Sequence, residues 1–290
     1  MLSPKDFFQM VRIWSTPLNV FAVAMGSLAA WPSFDAAAFA VAAIGVTMIN
    51  LASNVANDIY DFKNGADRPE DRELAERGYL LVSKKATAAQ EWRVFFALIA
   101  IAIMCGIYLS IRYTPIVIPL GIAGIMITLL YSAPKKSAKA IGAGEFLVFL
   151  TYGILVVEGA YLLQTGSFSY RPVIFAMPIS ILIVLVLLAN NIRDIKKDSA
   201  AGMRTLASRL GPARSKLLFS SMLGLIYLFL IAMPFIGMLP LFSIPIMLAT
   251  IPLAIKLNRK IVRRTPRDAA AQVSNFSFWI GGLMVLSLLM

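Results

Sequence analysis

The sequence predicts an all-α, polytopic membrane protein with nine transmembrane helices around a central cavity and a cytoplasmic N-terminus. The first observation is composition. Hydrophobic residues make up 59% of the 290 residues and charged residues only 14%, whereas a typical soluble domain is roughly 25% charged. The second is that the apolar residues fall into nine long runs, and the third is that nearly all positive charge lies between runs on one side of the predicted bilayer.

The nine runs are long enough to span the bilayer, since a transmembrane helix needs about 17 to 25 residues. The predicted spans are 14–31, 37–57, 94–111, 115–132, 145–164, 172–190, 217–235, 239–255 and 274–290. Pro17 lies at the start of the first span, where a helix needs no amide donor. A short stretch with Pro and Gly separates the seventh and eighth spans, which predicts a tight helical hairpin. We treat residues 1–290 as a single domain.

The distribution of positive charge predicts the orientation. All but two of the 27 Lys and Arg residues lie in the N-terminus or in the loops that follow even-numbered spans; the exceptions are Arg112 and Arg171. Because positively charged loops stay on the cytoplasmic side, we predict a multi-pass protein of the cell membrane with its N-terminus in the cytoplasm. The net charge of +12 does not indicate nucleic-acid binding, since the basic residues occupy short loops rather than one soluble face.

Two residue types limit the chemistry that the chain can perform. Histidine is absent, which excludes histidine catalysis and histidine metal ligands. Cys105 is the only cysteine and lies within an apolar run, which excludes a disulfide framework and a cysteine metal site. The candidate chemistry is therefore carried by carboxylates, amides and basic side chains.

Two acidic motifs begin where the second and sixth spans end. The first contains Asp58 and Asp61 and continues to Asp67, and the second contains Asp194 and Asp198. Side chains three or four residues apart share one face of a helix, so each motif presents its carboxylates together. Four converging carboxylates repel one another unless cations bind between them, and Mg²⁺ would hold an anionic ligand such as a diphosphate there. We predict that Asp58, Asp61, Asp194 and Asp198 are catalytic metal ligands and that Asp67 is a further metal ligand.

Amides and basic residues around both motifs complete the predicted site. Arg and Lys can clamp phosphate oxygens and stabilise charge on a departing diphosphate. For any single Lys or Arg, the alternative is an ordinary anchor on the cytoplasmic side. The predicted substrate-binding residues are Asn54, Asn57, Lys63, Arg68, Tyr131, Lys135, Asn190, Asn191, Arg193, Lys197, Arg204 and Glu158.

These motifs resemble those of the UbiA superfamily of intramembrane prenyltransferases, and the resemblance covers nearly the whole chain. The stretch from Asn57 to Asp61 resembles the first Asp-rich motif of that family. The stretch from Asp194 to Gly211 resembles the second, and Tyr131 to Pro134 resembles an element after the fourth helix. The resemblance implies nine transmembrane helices, Mg²⁺ as cofactor, a polyprenyl diphosphate as substrate and an active site on the cytoplasmic side of the bilayer.

Within this family, the chain most resembles 1,4-dihydroxy-2-naphthoate polyprenyltransferases, which make demethylmenaquinone in menaquinone biosynthesis. This resemblance rests on Asn190 to Asp194, on the spacing from Asp61 to Asp67 and on Gly144 to Phe146. The alternatives within the family act on 4-hydroxybenzoate, homogentisate, haem or archaeal glyceryl phosphates. A transporter is the alternative from another class, but transporters place ionisable groups near the midplane of the bilayer, and here they cluster at the ends of spans.

Glu158 is the one acid deep within a predicted span. An ionisable side chain in the membrane interior is costly and marks a functional site by default. We hypothesise that Glu158 faces the acceptor side of the cavity and accepts a hydrogen bond from an acceptor hydroxyl. The alternative is a buried acid that is protonated or hydrogen-bonded to a neighbouring helix.

The predicted orientation can be tested by cysteine labelling in a Cys105→Ala background. We expect Lys84→Cys and Arg263→Cys to react with a membrane-impermeant maleimide only from the cytoplasmic side, because both positions lie in basic loops. Sealed vesicles of each orientation provide the measurement. Labelling of Arg263→Cys from the opposite side would show that the number of spans is wrong.

Overall fold

The computed structural model describes residues 3–67, 80–132 and 137–290, and the regular elements in these ranges are all helical. The all-α prediction is therefore confirmed. The predictions for Arg68 and Lys135 lie outside the described residues.

The described residues form twelve α-helices and two short helical segments of other types. A 3₁₀ turn, Ile13–Ser15, precedes α2, and a π-helical segment, Leu150–Leu155, joins α6 to α7. The α-helices are α1 (Pro4–Val11), α2 (Thr16–Leu28), α3 (Ala36–Lys63), α4 (Ala88–Arg112), α5 (Val117–Ser132), α6 (Gly144–Phe149), α7 (Val156–Thr165), α8 (Tyr170–Ala200), α9 (Leu206–Phe235), α10 (Ser243–Leu248), α11 (Ile251–Arg264) and α12 (Ala269–Leu289).

Six helices of the described chain are long and apolar enough to cross a membrane. They are α3, α4, the continuous run from α6 to α7, α8, α9 and α12. Two shorter apolar helices, Ile13–Leu28 and α5, correspond to the first and fourth predicted spans. The prediction of a multi-span membrane protein is confirmed, while the number nine and the cytoplasmic N-terminus stay predictions.

The eighth predicted span differs from the expectation of one helix over 239–255. The structure has two helices there, α10 and α11, which meet at Ala249 and Thr250. Pro252 lies in the first turn of α11. Its ring clashes with the carbonyl four residues earlier, and it has no amide hydrogen to donate. The break therefore falls where proline prevents α10 from continuing.

The bundle is built around α8. In the most apolar window of this helix, 78% of the residues are buried, the largest share among the candidate spans. Ile179, Leu182, Leu185 and Leu188 are fully buried along its length. A helix that is apolar on all sides belongs in the interior of a bundle. The second acidic motif continues directly from this buried helix, which fixes its position.

Close helix contacts place α2 next to the site. A Cβ atom added at Gly26 of α2 would lie 2.2 Å from the carbonyl oxygen of Val157 in α7. A Cβ atom at Gly281 of α12 would lie 2.6 Å from the ring of Phe21 in α2. Small residues let helices approach this closely within membranes. The middle and the end of α2 are thereby held against α12 and α7.

A polar cluster ties three helices together at the end of α3 that is remote from the acidic motifs. Asp35 begins α3 by accepting hydrogen bonds from the amides of Ala37 and Ala38 at 2.8 and 2.9 Å. Its carboxylate also accepts one from the Tyr113 hydroxyl at 3.0 Å, and its amide donates to Gln164. The hydrogen bond from the Ala38 amide is the main reason that the pKa of Asp35 is lowered.

The contact at Gly26 predicts a specific loss of stability. Gly26→Ala should lower the free energy of unfolding in detergent, because overpacking costs about 1–3 kcal/mol and the atom in the way belongs to the backbone. Gly224→Ala in α9 is the matched control, since an added Cβ meets nothing within 4 Å there. Thermal denaturation of the purified proteins measures both. A Gly26→Ala protein as stable as the control would contradict this packing.

Candidate active site

A cavity of about 180 Å³ lies where α3, α8 and the turn before α2 converge. Most of the predicted site residues line it. They are Asn54, Asn57, Tyr131, Asn190, Asn191, Arg193, Asp194, Lys197 and Asp198. We call this cavity the chamber.

Each carboxylate of the first motif is paired with a cation from another segment. Asp58 forms an ion pair with Arg12, which lies between α1 and the 3₁₀ turn. The buried carboxylate of Asp61 accepts hydrogen bonds from Lys139 Nζ at 2.9 and 2.8 Å and from Asn57 Nδ2 at 3.2 Å. Asn57 Oδ1 in turn accepts one from Ser132 at 3.2 Å. The end of α3 is therefore fixed by charges from the N-terminus and from the segment before α6.

The second motif contains one paired and one incompletely satisfied carboxylate. The guanidinium of Arg193 donates to both oxygens of Asp194, at 2.8 and 2.7 Å, and also to the Arg267 carbonyl at 2.9 Å. Asp198 is only 3% exposed, and its Oδ2 has no hydrogen-bond partner among the described residues. A buried oxygen left without a partner is costly. Asp198 therefore has a carboxylate oxygen that could ligate a cation.

One ion pair joins the two motifs directly. Lys197 of the second motif donates to the carboxylate of Asp67 in the first, and both side chains are 5% exposed. Asp198 also interacts electrostatically with Asp61 and Asp194, which repel it, and with Lys139 and Lys197, which attract it. The structure thus brings carboxylates from both motifs to one place.

The structure does not bring every predicted residue into the chamber, since Asp58, Asp61 and Asp67 pair with its lining cations without lining it themselves. Lys63 is exposed, and its Nζ lies over the rings of Trp92 and Tyr60, 5.6 and 5.8 Å from their centroids. Arg204 is exposed and does not line the chamber. Both residues are at the surface, as ordinary cytoplasmic anchors would be.

Glu158 is also outside the chamber, and its contact with the acceptor stays a prediction. Its Oε2 accepts a hydrogen bond from the Ser169 amide at 3.2 Å, just before α8 begins. With a rise of about 1.5 Å per residue, Glu158 lies about 20 Å along the helix from Glu145 at the chamber end. The carboxylate is bonded to the backbone of a connecting turn at the remote end of the bundle.

Sequence reasoning did not identify several residues that line the chamber. Arg12 and Lys139 are loop cations like many others, and only the fold shows that they pair with Asp58 and Asp61. The sequence could have identified Asn50, because it lies four residues before Asn54 and therefore on the same face of the helix. Asn19 and Tyr152 also line the chamber but are single polar residues within apolar runs.

The side chains present fit a hard divalent cation. Within the described ranges, no group of three or more carboxylate, thiol or imidazole side chains forms a ready metal cage. The donors are nevertheless carboxylate and amide oxygens, which Mg²⁺ prefers, and Asp198 has a buried oxygen without a partner. Metal binding here requires that Lys139 and Lys197 exchange their carboxylate partners for oxygens of an anionic ligand.

Comparison with known proteins identifies relatives along the whole chain. UbiA prenyltransferase domain-containing protein 1 of Dictyostelium discoideum is 28% identical over 294 residues, covering 96% of this chain and 86% of the relative. The protein of the same name from Homo sapiens is 26% identical over 285 residues, covering 97% of this chain and 82% of the relative.

Solved structures share the fold. A UbiA homolog from Aeropyrum pernix K1 superposes with a TM-score of 0.70 at 16% identity, covering 96% of this chain and 98% of that one. A UbiA homolog from Archaeoglobus fulgidus bound to GPP and Mg²⁺ superposes with a TM-score of 0.67 at 14% identity, covering 98% and 100%. The sequence profile of the UbiA prenyltransferase family matches residues 19–281. This chain therefore belongs to the UbiA prenyltransferase family.

Proposed function

We propose that this chain is a Mg²⁺-dependent polyprenyltransferase that transfers a polyprenyl group from a polyprenyl diphosphate to an aromatic acceptor. The acceptor that we propose is 1,4-dihydroxy-2-naphthoate, which would place the enzyme in menaquinone biosynthesis, in the cell membrane with its site on the cytoplasmic face. The observation that carries this proposal is that Arg12, Lys139 and Lys197 form ion pairs with the carboxylates of the first motif and line the chamber together with Asp194 and Asp198 of the second. Membership of the family supports it.

The charged groups of the chamber are suited to hold a diphosphate. Lys139 and Lys197 turn from Asp61 and Asp67 to the phosphate oxygens, and Arg12 lines the same cavity. The carboxylates released by this exchange, with Asp198, would hold the metal. Bound Mg²⁺ supplies positive charge that neutralises the diphosphate as it departs. The carboxylates that now pair with Lys139 and Lys197 would pair with the metal instead, so their buried charge would stay compensated.

In the proposed transfer, the bond between C1 of the prenyl group and the diphosphate oxygen breaks, and its electron pair leaves with the diphosphate. C1 forms a new bond to a ring carbon of the acceptor. With the naphthoate, that ring carbon loses its carboxyl group as CO₂, whose bonding electrons return to the ring. Apolar side chains such as Leu18, Ile183 and Leu187 line the inner wall of the chamber. They limit the access of water, which would otherwise capture the allylic group.

A second cavity is suited to the isoprenoid chain. It has a volume of about 130 Å³ and lies between α3, α4, α5 and the run from α6 to α7. Its lining residues include Gly45, Gly121 and Gly159, which have no side chains to fill the cavity. Tyr152 lines both cavities, so the chamber and this apolar cavity adjoin at its side chain. A diphosphate in the chamber can therefore extend its chain into an apolar space.

The acceptor is best tested with membranes that contain the expressed protein. Geranylgeranyl diphosphate and Mg²⁺ are supplied with 1,4-dihydroxy-2-naphthoate, 4-hydroxybenzoate, homogentisate or a glyceryl phosphate, and products are identified by mass spectrometry. We expect prenylation of the naphthoate with loss of CO₂. Prenylation of another acceptor alone would contradict the naphthoate assignment, and no transfer to any of them would contradict the proposed activity.

The charge arrangement predicts which substitutions abolish transfer. Asp61→Asn and Asp198→Asn should each lower kcat at least about 100-fold, because each removes a carboxylate that would hold the Mg²⁺ needed to neutralise the departing diphosphate. Lys139→Met should lower activity by a similar factor. Lys63→Met is the control and should keep near-wild-type turnover, since Lys63 is exposed outside the chamber. Equal losses in Lys63→Met and Lys139→Met would contradict this assignment.

A further inference from the structure

Four neutral polar residues form a second polar group within the chamber, away from the acidic motifs. They are Ser15, Asn19, Asn50 and Tyr152, and all four line the chamber. We call them the inner polar cluster. Asn50 lies about 16 Å from Asp61 along the axis of α3, on the side of the membrane interior. The proposed function leaves these residues without a role.

Hydrogen bonds join three of these residues across three segments. Ser15 Oγ donates to Asn50 Oδ1 at 2.9 Å. Asn50 Nδ2 donates to the hydroxyl oxygen of Tyr152 at 2.8 Å. The hydroxyl of Tyr152 therefore accepts a hydrogen bond, and in the described part of the chain its own proton has no assigned acceptor. That proton can be donated to a ligand.

Asn19 provides a second unused donor. Its side chain is 2% exposed and lines the chamber, and its Nδ2 has no acceptor among the described residues. A buried amide nitrogen without an acceptor is unfavourable, and such a group in a native structure requires an explanation. Asn19 follows Ser15 by four residues, so the two side chains lie on the same side of the helix. A bound ligand oxygen would satisfy this amide.

The chemistry of the cluster limits its ligand. It offers hydroxyl and amide donors but contains no Lys or Arg, unlike the chamber wall around the acidic motifs, where Lys139 and Lys197 lie. Phosphate and carboxylate groups are bound preferentially by Arg and Lys. Neutral donors are suited to a hydroxyl, a phenolate or a carbonyl oxygen. Because Tyr152 also borders the apolar cavity, an oxygen held here lies beside the proposed path of the prenyl chain.

We propose that the inner polar cluster binds a ring oxygen of a hydroxyaryl acceptor, with Asn19 and Tyr152 as its hydrogen-bond donors. This proposal rests on the proposed prenyltransferase function and assigns the acceptor's position within it. Asn50 and Ser15 are positioning residues, because they hold the Tyr152 hydroxyl. The cluster suits a ring hydroxyl, and the carboxylate of a naphthoate acceptor would lie outside it.

The test combines two substitutions with two substrates. Tyr152→Phe removes one hydroxyl, and Asn19→Leu replaces the amide by an apolar group of similar size. Each should raise the acceptor KM about tenfold, while the KM for the polyprenyl diphosphate stays unchanged. Ser27→Ala is the control, since Ser27 lies on the same helix and its buried hydroxyl is also without a partner, but it does not line the chamber. It should leave both constants unchanged.

An acceptor analogue that lacks one hydroxyl makes the test decisive. With the wild-type protein, kcat/KM should be lower for the analogue that lacks the bound hydroxyl than for the full acceptor. In Tyr152→Phe or Asn19→Leu, the ratio between these two values of kcat/KM should be smaller. Rates are normalised to the number of sites that bind a thiodiphosphate analogue, so that a poorly folded variant does not obscure the result. If removal of the acceptor hydroxyl lowers kcat/KM by the same factor in the wild type and in both variants, the proposal is overturned. Failure of the wild type to prenylate any hydroxyaryl compound would instead overturn the proposed function.

Discussion

The compensation of buried carboxylates is the constraint on which this structure depends. Asp61 and Asp198 are 5% and 3% exposed at the ends of two helices, where uncompensated charge would be strongly unfavourable. The compensating groups come from distant parts of the chain, Arg12 for Asp58, Lys139 for Asp61 and Lys197 for Asp67. These ion pairs hold the loops and helix ends in position. They also provide the groups that a diphosphate and a metal would redistribute on binding.

The sequence predicted the parts of the fold that the bilayer determines. A membrane requires long apolar helices, so hydropathy located the spans that became α3, α4, α8, α9 and α12. Helical spacing also placed the carboxylates of each motif on one face. It did not reveal the break between α10 and α11, because the eighth run is apolar on both sides of Pro252. The break between α10 and α11 is set by the backbone restriction at Pro252.

The candidate site was only partly predictable, because its partners are set by tertiary structure. Arg12 and Lys139 resemble other loop cations until the fold places them beside the first motif. The intramembrane acid Glu158 was recognisable, but the sequence did not show that one of its carboxylate oxygens would accept a hydrogen bond from the Ser169 amide far from the chamber. Asn19 was missed for the opposite reason, since one neutral amide hardly alters an apolar run. Asn19 carries a proposal because its buried amide lines the chamber and has no acceptor among the described residues.

We propose that the two acidic motifs form one site for metal and diphosphate. The most direct measurement is Mg²⁺-dependent binding of a non-cleavable polyprenyl thiodiphosphate by Asp61→Asn, Asp198→Asn and the double variant, with calorimetry as the readout. Residues of one site couple strongly, whereas effects of independent sites add. We expect each single substitution to remove most of the Mg²⁺-dependent binding and the double variant to lose little more. Additive losses, or Mg²⁺-dependent binding that survives in either single variant, would contradict a shared site.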